Sequence, residues 1–295
     1  MEEKEIANGE KGNSRGWISG FIGMLMFSGS LPATRIAVLG LPPLFVTGAR
    51  AVIAGLLAIG ALILLKEKWP AKSHIFPLML VALGVVVGFP LLSALALQYI
   101  TSAHSLVFVG LLPLATAIFG VMLGHERPKP AFWLFSFTGS LLVVGFAIFQ
   151  GIQVSAIGDI LMMGAIILCG LGYALGAKLT KTMGGWQVIS WALTLSFPLM
   201  FPFIFLYPPS SITTVPTGAW IGLAYISLFS MFIGFIFWYQ GLAQGGIASV
   251  GQLQLLQPFF GLGLAAFFLH EKVSPAMLLI SLGVMLCVAG SRRFS

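Results

Sequence analysis

Long apolar runs separated by short polar breaks dominate the sequence. A helix that crosses the ~30 Å hydrocarbon layer of a bilayer needs about 20 mostly apolar residues. Such windows, numbered here as spans one to ten, lie near 17–38, 43–65, 75–97, 103–123, 131–149, 158–179, 185–207, 217–241, 248–269 and 274–291. The breaks hold turn formers such as Pro42 with Pro43 and Gly184 with Gly185. The pattern predicts an all-α integral membrane protein with ten transmembrane helices.

The two ends of the chain are polar. Residues 1–16 mix charged and polar side chains and precede an apolar run too long for a signal-peptide core, so we expect an uncleaved, disordered tail. Residues 292–295 form a second short tail. If both tails are cytoplasmic, all the Lys and Arg residues except Arg35, Arg50 and Lys272 fall in inner segments, as the positive-inside rule requires. We expect a multi-pass protein of the bacterial inner (plasma) membrane.

Composition agrees with a chain embedded in lipid. Of the 295 residues, 58% are hydrophobic and 8% are charged, whereas soluble domains carry roughly 25% charged residues. The net charge is +7, but the basic residues stand singly or in pairs, so we interpret them as topology determinants and expect no nucleic-acid partner. Cys169 and Cys287 lie in apolar segments, where a thiol acts as a small hydrophobe.

An internal repeat joins the two halves of the chain. Residues 103–127 and 248–272 match at a constant offset of 145, which pairs Pro113 with Pro258 and Glu126 with Glu271. The offset predicts two copies of a five-helix unit, over residues 17–149 and 150–291. Because five is odd, the second copy is inverted, which gives a 5+5 architecture. Inverted repeats can open a central site to either side in turn, so the repeat favours a transporter over a channel or a scaffold.

Each half resembles an EamA domain of the drug/metabolite transporter superfamily. The resemblance is carried by a Pro in the fourth helix, a His-Glu-Arg/Lys turn and glycines in the fifth helix. These residues are Pro113, Gly124, His125, Glu126, Arg127, Gly139 and Gly145, then Pro258, His270, Glu271, Lys272, Gly283 and Gly290. Within the superfamily the chain is most similar to bacterial YddG-type exporters. The resemblance implies export of aromatic and other neutral amino acids.

Glycine and proline residues interrupt several spans, and such breaks free backbone groups to line a cavity. The breaks fall in spans one, three, four, six, eight and nine, which we expect to form the cavity wall, as the resemblance also implies. The alternative for any single glycine is close helix packing. The candidate hinge residues are Gly29, Pro32, Gly88, Pro90, Pro113, Gly170, Gly172, Gly234 and Pro258.

Polar groups within the spans are candidates for substrate contacts because burying them in lipid is costly. Gln254 and Gln257 share a face with Gly261 and are suited to hydrogen-bond either a solute or a neighbouring helix. His104 lies at the start of span four. It is either a proton relay or substrate ligand, or an ordinary residue of the membrane interface. Aromatic rings near span ends could contact substrate or belong to the interfacial belt. The candidate substrate-binding residues are Ser28, Ser30, Tyr99, His104, Phe108, Cys169, Tyr173, Trp238, Gln254 and Gln257.

Charged residues near the spans allow two interpretations. Arg50 lies about two turns into span two, where we favour a side chain that snorkels outward, with carboxylate binding as the alternative. Glu126 and Glu271 lie in turns and are interpreted as structural, capping or interfacial groups. No Asp or Glu occupies the middle of a predicted span, so carboxylate-based proton or sodium coupling has no obvious carrier.

Other classes of protein fit the sequence less well. The two His-Glu pairs lack the second histidine of an H-E-x-x-H zinc site, because Lys129 and Ser274 stand at that position. We therefore predict no metal site and no enzymatic activity. No filter-like motif points to a channel. We also predict no cofactor and no obligate protein partner. The hypothesis is facilitative export of neutral amino acids by alternating access; the alternative is an exporter or permease for another small metabolite or drug with proton coupling.

Overall fold

The computed structural model describes residues 2–100, 105, 108–149, 155–261, 263 and 275–295, and the regular elements there are all helical. The α-helices are α1 (Glu2–Ser28), α2 (Ser30–Gly40), α3 (Pro43–Leu64), α4 (Lys72–Val81), α5 (Phe89–Ala96), α6 (Leu112–Gly124), α7 (Pro130–Phe149), α8 (Ala156–Met183), α9 (Gly185–Leu206), α10 (Thr217–Tyr225), α11 (Gly234–Gly245), α12 (Ile247–Gly251) and α13 (Pro275–Phe294). Two π-helical segments, Ala82–Gly88 and Ile226–Ile233, continue α4 and α10, and the 3₁₀ segment Gln252–Leu256 continues α12.

Several of these helices are long and apolar enough to cross a membrane. Within the described residues there are six, at Ser14–Gly40, Pro43–Leu64, Lys72–Ala96, Ala156–Met183, Gly185–Leu206 and Thr217–Gly245. Leu112–Gly124 and Pro130–Phe146 are shorter apolar helices. The bounds agree with the predicted spans to within a few residues wherever a turn former fixes them. Span seven, for example, begins after Gly184, whose φ of +96° favours a residue without a side chain.

The first helix corrects the expectation of a disordered N-terminal tail. α1 begins at Glu2 and runs without a break into the apolar part of span one. Residues 2–16 are rich in Glu and Lys, which are good helix formers. Extending an existing helix also avoids the cost of nucleating a new one.

Packing between the spans follows the repeat. Spans two and seven (α3 and α9) pack on each other, as do spans five and ten (α7 and α13) and spans four and nine (α6 with α12 and the 3₁₀ segment). Each of these spans therefore contacts its own equivalent in the other half. Span one packs on span eight, and span three packs on span six. Span one is equivalent to span six, and span eight is equivalent to span three. These two contacts are therefore equivalent to each other when the halves are exchanged.

The two π-helical segments occupy equivalent places in spans three and eight. The segment in span three closes with the Phe89 N–H donating to the Gly84 carbonyl, and the one in span eight with the Gly234 N–H donating to the Phe229 carbonyl. Both pairs of residues are separated by the repeat offset of 145. A π turn inserts one residue into a helix and is often found at functional sites.

Spans one, four and nine depart from regular α-helix close to their predicted breaks. Gly29 is a turn between α1 and α2. In span four a turn at 110–111 precedes Pro113, and in span nine the 3₁₀ segment precedes Pro258. Proline cannot donate the i→i−4 hydrogen bond, so the α-helical ladder is interrupted just before it.

Span six differs from the prediction, because α8 is continuous from Ala156 to Met183 and has no break at Gly170 or Gly172. Both glycines instead allow close helix contacts. A Cβ built at Gly170 would lie 2.9 Å from the Cβ of Ala115, and one at Gly172 would lie 2.7 Å from Val85. The packing alternative therefore explains these two residues in this structure.

Opposite ends of the molecule are formed by different parts of the chain. At one end, the Arg292 guanidinium lies 4.8 Å from the ring centre of Trp17, and the Lys129 N–H donates to the Phe294 carbonyl. Both ends of the chain thus meet there. At the other end, α2, the start of α3 and α10 pack in an apolar cluster that we call the α2–α10 cap, made by Ala37, Leu41, Phe45, Val46, Ala49, Ala219, Leu223 and Ile226.

Candidate functional site

A cavity lies between the two halves of the molecule. Its volume is about 30 Å³, whereas sites that hold small organic ligands measure about 300–1,000 Å³. The described lining residues are Phe27, Ser30, Arg50, Val85, Phe89, Val109, Leu112, Cys169, Tyr173, Ser230, Phe235, Gln254 and Gln257. All six spans predicted for the wall contribute, and span two adds Arg50.

The repeat places equivalent residues on opposite walls of this cavity. Val109 and Gln254 are separated by 145 residues, and so are Leu112 and Gln257. Val85 and Ser230 form a third such pair, inside the two π-helical segments. In each pair the first half supplies an apolar side chain and the second half a polar one. The cavity therefore has an apolar side and a polar side although its backbone is repeated.

An aromatic cluster forms one wall of the cavity. Phe27 and Tyr173 are stacked, with ring centres 6.5 Å apart and planes 10° apart. Phe235 contacts both rings, at 5.0 Å from Phe27 and 5.9 Å from Tyr173. Trp238 packs behind them, 5.4 Å from Tyr173, and is fully buried. Trp238 supports the wall and is not among the described lining residues, so its contact with substrate stays a prediction.

The two glutamines of span nine bond to neighbouring helices and also line the cavity. Gln254 Nε2 donates to the Tyr173 hydroxyl (3.3 Å) and Gln257 Nε2 donates to the Phe27 carbonyl (3.2 Å), so both link helices. Both also line the cavity. Gln254 Oε1 is buried and has no hydrogen-bond partner in the described part of the chain. It is a free acceptor at the cavity wall.

Arg50 is turned into the protein, which contradicts the expectation that it snorkels outward. Its side chain is 6% exposed and lines the cavity. Nη2 donates to Ser230 Oγ (3.5 Å), which in turn donates to Ser30 Oγ (2.8 Å). Nε has no hydrogen-bond partner among the described residues. The depth of Arg50 along span two was predictable, but the face of the helix on which it lies was not, and that face decides between the two interpretations.

Three other candidates from the sequence, Ser28, Tyr99 and Phe108, are not among the described lining residues. The Ser28 hydroxyl donates to the Met24 carbonyl of its own helix. Tyr99 is 48% exposed and contacts Gly158, so it is a surface residue. Phe108 is buried but not part of the lining, which Val109 provides instead. His104 lies outside the described residues. One residue along a helix turns a side chain by about 100°, which separates Phe108 from the lining residue Val109. Substrate contact by Ser28, Tyr99, His104 and Phe108 stays a prediction.

Glu126 has the capping role that the sequence suggested, although in another helix. Its two carboxylate oxygens accept the backbone N–H groups of Ile247 (2.6 Å) and Ala248 (2.7 Å), the first residues of α12. A carboxylate at a helix N-terminus satisfies free donors and faces the positive end of the helix dipole. The turn of the first half thus holds the start of span nine in the second half. Glu271 lies outside the described residues.

Comparison with known proteins gives one family and several relatives. The EamA-like transporter family matches two segments of the chain, residues 14–149 and 156–292. The uncharacterized transporter YdeK of Bacillus subtilis (strain 168) is 61% identical over 282 residues, which cover 96% of this chain and 98% of YdeK. The uncharacterized transporter YvbV of the same organism is 26% identical and covers 91% of this chain. A protein of known crystal structure, 18% identical, shares the fold with a TM-score of 0.79 over 94% of this chain and 97% of its own.

Proposed function

This chain belongs to the EamA-like transporter family and is a multi-pass membrane transporter, and we propose that it exports small amphipathic metabolites, above all aromatic and other neutral amino acids. The observation that carries this proposal is the two-sided cavity. Val85, Val109 and Leu112 offer an apolar surface, and the equivalent Ser230, Gln254 and Gln257 offer hydroxyl and amide groups. A solute with one polar end and one apolar end matches such a site.

The charge and the aromatic rings of the cavity also support the proposed substrate class. Arg50 is the single cationic residue in the described lining, whereas phosphorylated solutes are usually held by several Lys and Arg groups. A cationic drug would be repelled by the same guanidinium. The aromatic cluster of Phe27, Tyr173 and Phe235 can pack against an apolar or aromatic side chain. Neutral amino acids satisfy all three conditions.

The mechanism that we propose is alternating access by two inverted five-helix repeats. The volume of about 30 Å³ is too small for an amino acid, so the halves must move apart at one end to admit a substrate. The exchange of helix contacts between the halves and the paired π-helical segments support a second conformation in which the halves exchange roles. The departures from α-helix near Gly29, Pro113 and Pro258 are the proposed bending points, together with the π segments.

We propose that the protein resides in the bacterial inner membrane with both termini in the cytoplasm. The meeting of Trp17 and Arg292 at one end of the molecule supports an even number of crossings. Lys129, which bonds to Phe294, lies at that same end. Two basic residues of the predicted inner segments, Lys129 and Arg292, thus lie at the same end, which supports the proposed orientation because cytoplasmic loops are rich in Lys and Arg.

Uptake into liposomes tests the proposed function. The purified full-length protein is reconstituted, and entry of labelled phenylalanine, threonine and glutamate is compared with entry into protein-free liposomes, with and without a pH gradient. We expect saturable uptake of phenylalanine and threonine, no uptake of glutamate and no effect of the gradient. Absence of any amino-acid flux would reject the substrate class, and accumulation driven by the gradient would reject the facilitative mechanism and make His104 the first residue to replace.

A further inference from the structure

We infer that Arg50 and Gln254 bind the two charged groups of an α-amino acid, Arg50 the carboxylate and Gln254 Oε1 the ammonium. The inference rests on the proposed function and extends it by naming the atoms that recognise the substrate. It depends on two buried atoms of opposite hydrogen-bonding type, the donor Nε of Arg50 and the acceptor Oε1 of Gln254. Neither has a hydrogen-bond partner in the described part of the chain, and both belong to residues that line a single cavity.

The Arg50 guanidinium is the first of these groups. A charged side chain within a membrane protein is costly unless it is paired, and unpaired examples usually mark a substrate or ion pathway. No carboxylate is present among the described residues that line the cavity. The bond to Ser230 is long, at 3.5 Å, and employs one nitrogen of the three. The planar guanidinium retains donors for a carboxylate, which it can bind through two parallel hydrogen bonds.

The Gln254 amide is the second group. Its NH₂ donates to the Tyr173 hydroxyl, and the carbonyl oxygen Oε1 has no hydrogen-bond partner among the residues that the structure describes. An unpaired acceptor in a buried cavity calls for a donor, and an ammonium group has three. Tyr173, whose hydroxyl accepts the bond from Gln254, stacks on Phe27, and both residues line the same cavity. Aromatic rings also attract cations.

The helices behind these two groups make their contacts sensitive to conformation. Arg50 belongs to span two and is bonded to Ser230 in a π-helical segment, while Ser230 is bonded to Ser30 next to the break in span one. Gln254 lies in the 3₁₀ segment before Pro258. Both binding groups are thus attached to the irregular parts of the spans. A zwitterion bound between them would join helices of both halves.

Binding of ligands that lack one charged group tests the inference. Affinities of the purified protein in detergent are measured by calorimetry for phenylalanine, for 3-phenylpropionate, which lacks the ammonium, and for 2-phenylethylamine, which lacks the carboxylate. We expect each fragment to bind about tenfold or more weakly than phenylalanine, the usual effect of losing one charge-assisted hydrogen bond. Equal affinity for phenylalanine and either fragment would overturn the assignment, whatever the behaviour of any variant.

Substitutions then assign each charged group to its residue. Arg50→Gln should weaken phenylalanine and 3-phenylpropionate about tenfold or more. The affinity for 2-phenylethylamine should not fall and should rise, because the variant no longer repels its positive charge. Gln254→Leu should weaken phenylalanine and 2-phenylethylamine and spare 3-phenylpropionate. Arg127→Gln, the same substitution at an exposed position, is the matched control and should leave all three affinities unchanged.

Selective losses separate binding from a merely structural role. If Arg50→Gln weakens all three ligands equally, Arg50 only holds the cavity in shape and the inference fails. Arg50→Lys, which keeps the positive charge, should recover part of the affinity for the two carboxylates. If the wild-type protein binds none of the ligands and transports no amino acid, the proposed function itself is rejected. If the wild-type protein transports amino acids but each variant loses affinity for all three ligands equally, only the inference is rejected.

Discussion

At the scale of single residues, Glu126 shows how one side chain can hold two halves of a chain together. It lies in the turn after α6, at the end of the first half's fourth span, and bonds to the first two N–H groups of α12. These N–H groups have no partner within their own helix. The same residue that marks the repeat in the sequence therefore joins its two copies in space.

Replacing Glu126 tests this contact. Glu126→Ala should lower the free energy of unfolding by about 2 kcal/mol, because two hydrogen bonds to a charged acceptor are lost at a helix N-terminus. The apparent Tm in detergent should fall by several degrees. Arg127→Gln, next to it and exposed, should leave the Tm unchanged. Equal Tm values for the two variants would show that the cap contributes nothing measurable.

The residues of the cavity were only partly predictable from the sequence. Five predicted candidates line the cavity: Ser30 and Cys169 at expected helix breaks, Tyr173 as an aromatic ring, and Gln254 and Gln257 as polar groups in an apolar span. Arg50 was assigned to the wrong environment. Its hydrogen bond to Ser230 joins residues 180 apart in sequence, and only the packing of span two against span eight brings them together.

At the scale of helices, the two π-helical segments depend on glycine. A Cβ built at Gly88 would overlap the carbonyl oxygen of Leu83, and one built at Gly234 would lie 2.5 Å from that of Phe229. In each case the carbonyl belongs to the residue five positions earlier. The wider π turn brings this oxygen toward the glycine, and a methyl group would push it away.

Substituting alanine at these glycines should therefore be harmful. Gly88→Ala and Gly234→Ala should each lower the free energy of unfolding by about 1–3 kcal/mol through overpacking. Gly60→Ala is the control, because a Cβ there meets nothing within 4 Å. The apparent Tm should fall for the first two variants and not for the third. If all three variants retain the wild-type Tm, the π turns tolerate a side chain and are not fixed by glycine.

Span limits were predictable from the sequence, whereas irregular turns inside the spans were not. Span two was expected at 43–65 and is observed at Pro43–Leu64, because apolar length and flanking prolines determine it. A π segment of seven or eight residues changes the helical period too little to be visible in an almost uniformly apolar run. The prediction of a break in span six was wrong for a related reason, because a glycine in the sequence is compatible with either a helix bend or a close helix contact.

At the scale of the whole molecule, the α2–α10 cap is the part that must separate if the cavity opens at the end away from the chain termini. It joins span one and span two of the first half to span eight of the second. Apolar contacts of this kind can part and re-form without leaving unpaired polar groups, which suits a gate.

A cross-link through this cap should stop transport without stopping binding. A Cβ built at Gly40 would lie 2.9 Å from the Cβ of Ala219, near the separation of about 3.5–4.5 Å in disulfides. In the double variant Gly40→Cys with Ala219→Cys, oxidation should abolish phenylalanine uptake by liposomes and leave its affinity in detergent unchanged, and a reductant should restore uptake.

Each single cysteine variant serves as the control for the cross-link and should keep its uptake under oxidation. Undiminished flux through the fully cross-linked protein would exclude a conformational cycle in which this end opens. Loss of uptake in the single Gly40→Cys variant would instead indicate that the added side chain disturbs the cap, since Pro216 lies 2.9 Å from the same built Cβ.

The way in which the spans pair has a consequence for how variants would bias the resting protein. Spans two and seven, four and nine, and five and ten contact their own equivalents, so an inward-facing and an outward-facing form would both contain these seams unchanged. A substitution in these contacts should change the stability of both forms equally. The contacts of span one with span eight and of span three with span six are instead exchanged between the forms. Substitutions in those contacts, such as Gly234→Ala, should shift the population from one facing to the other.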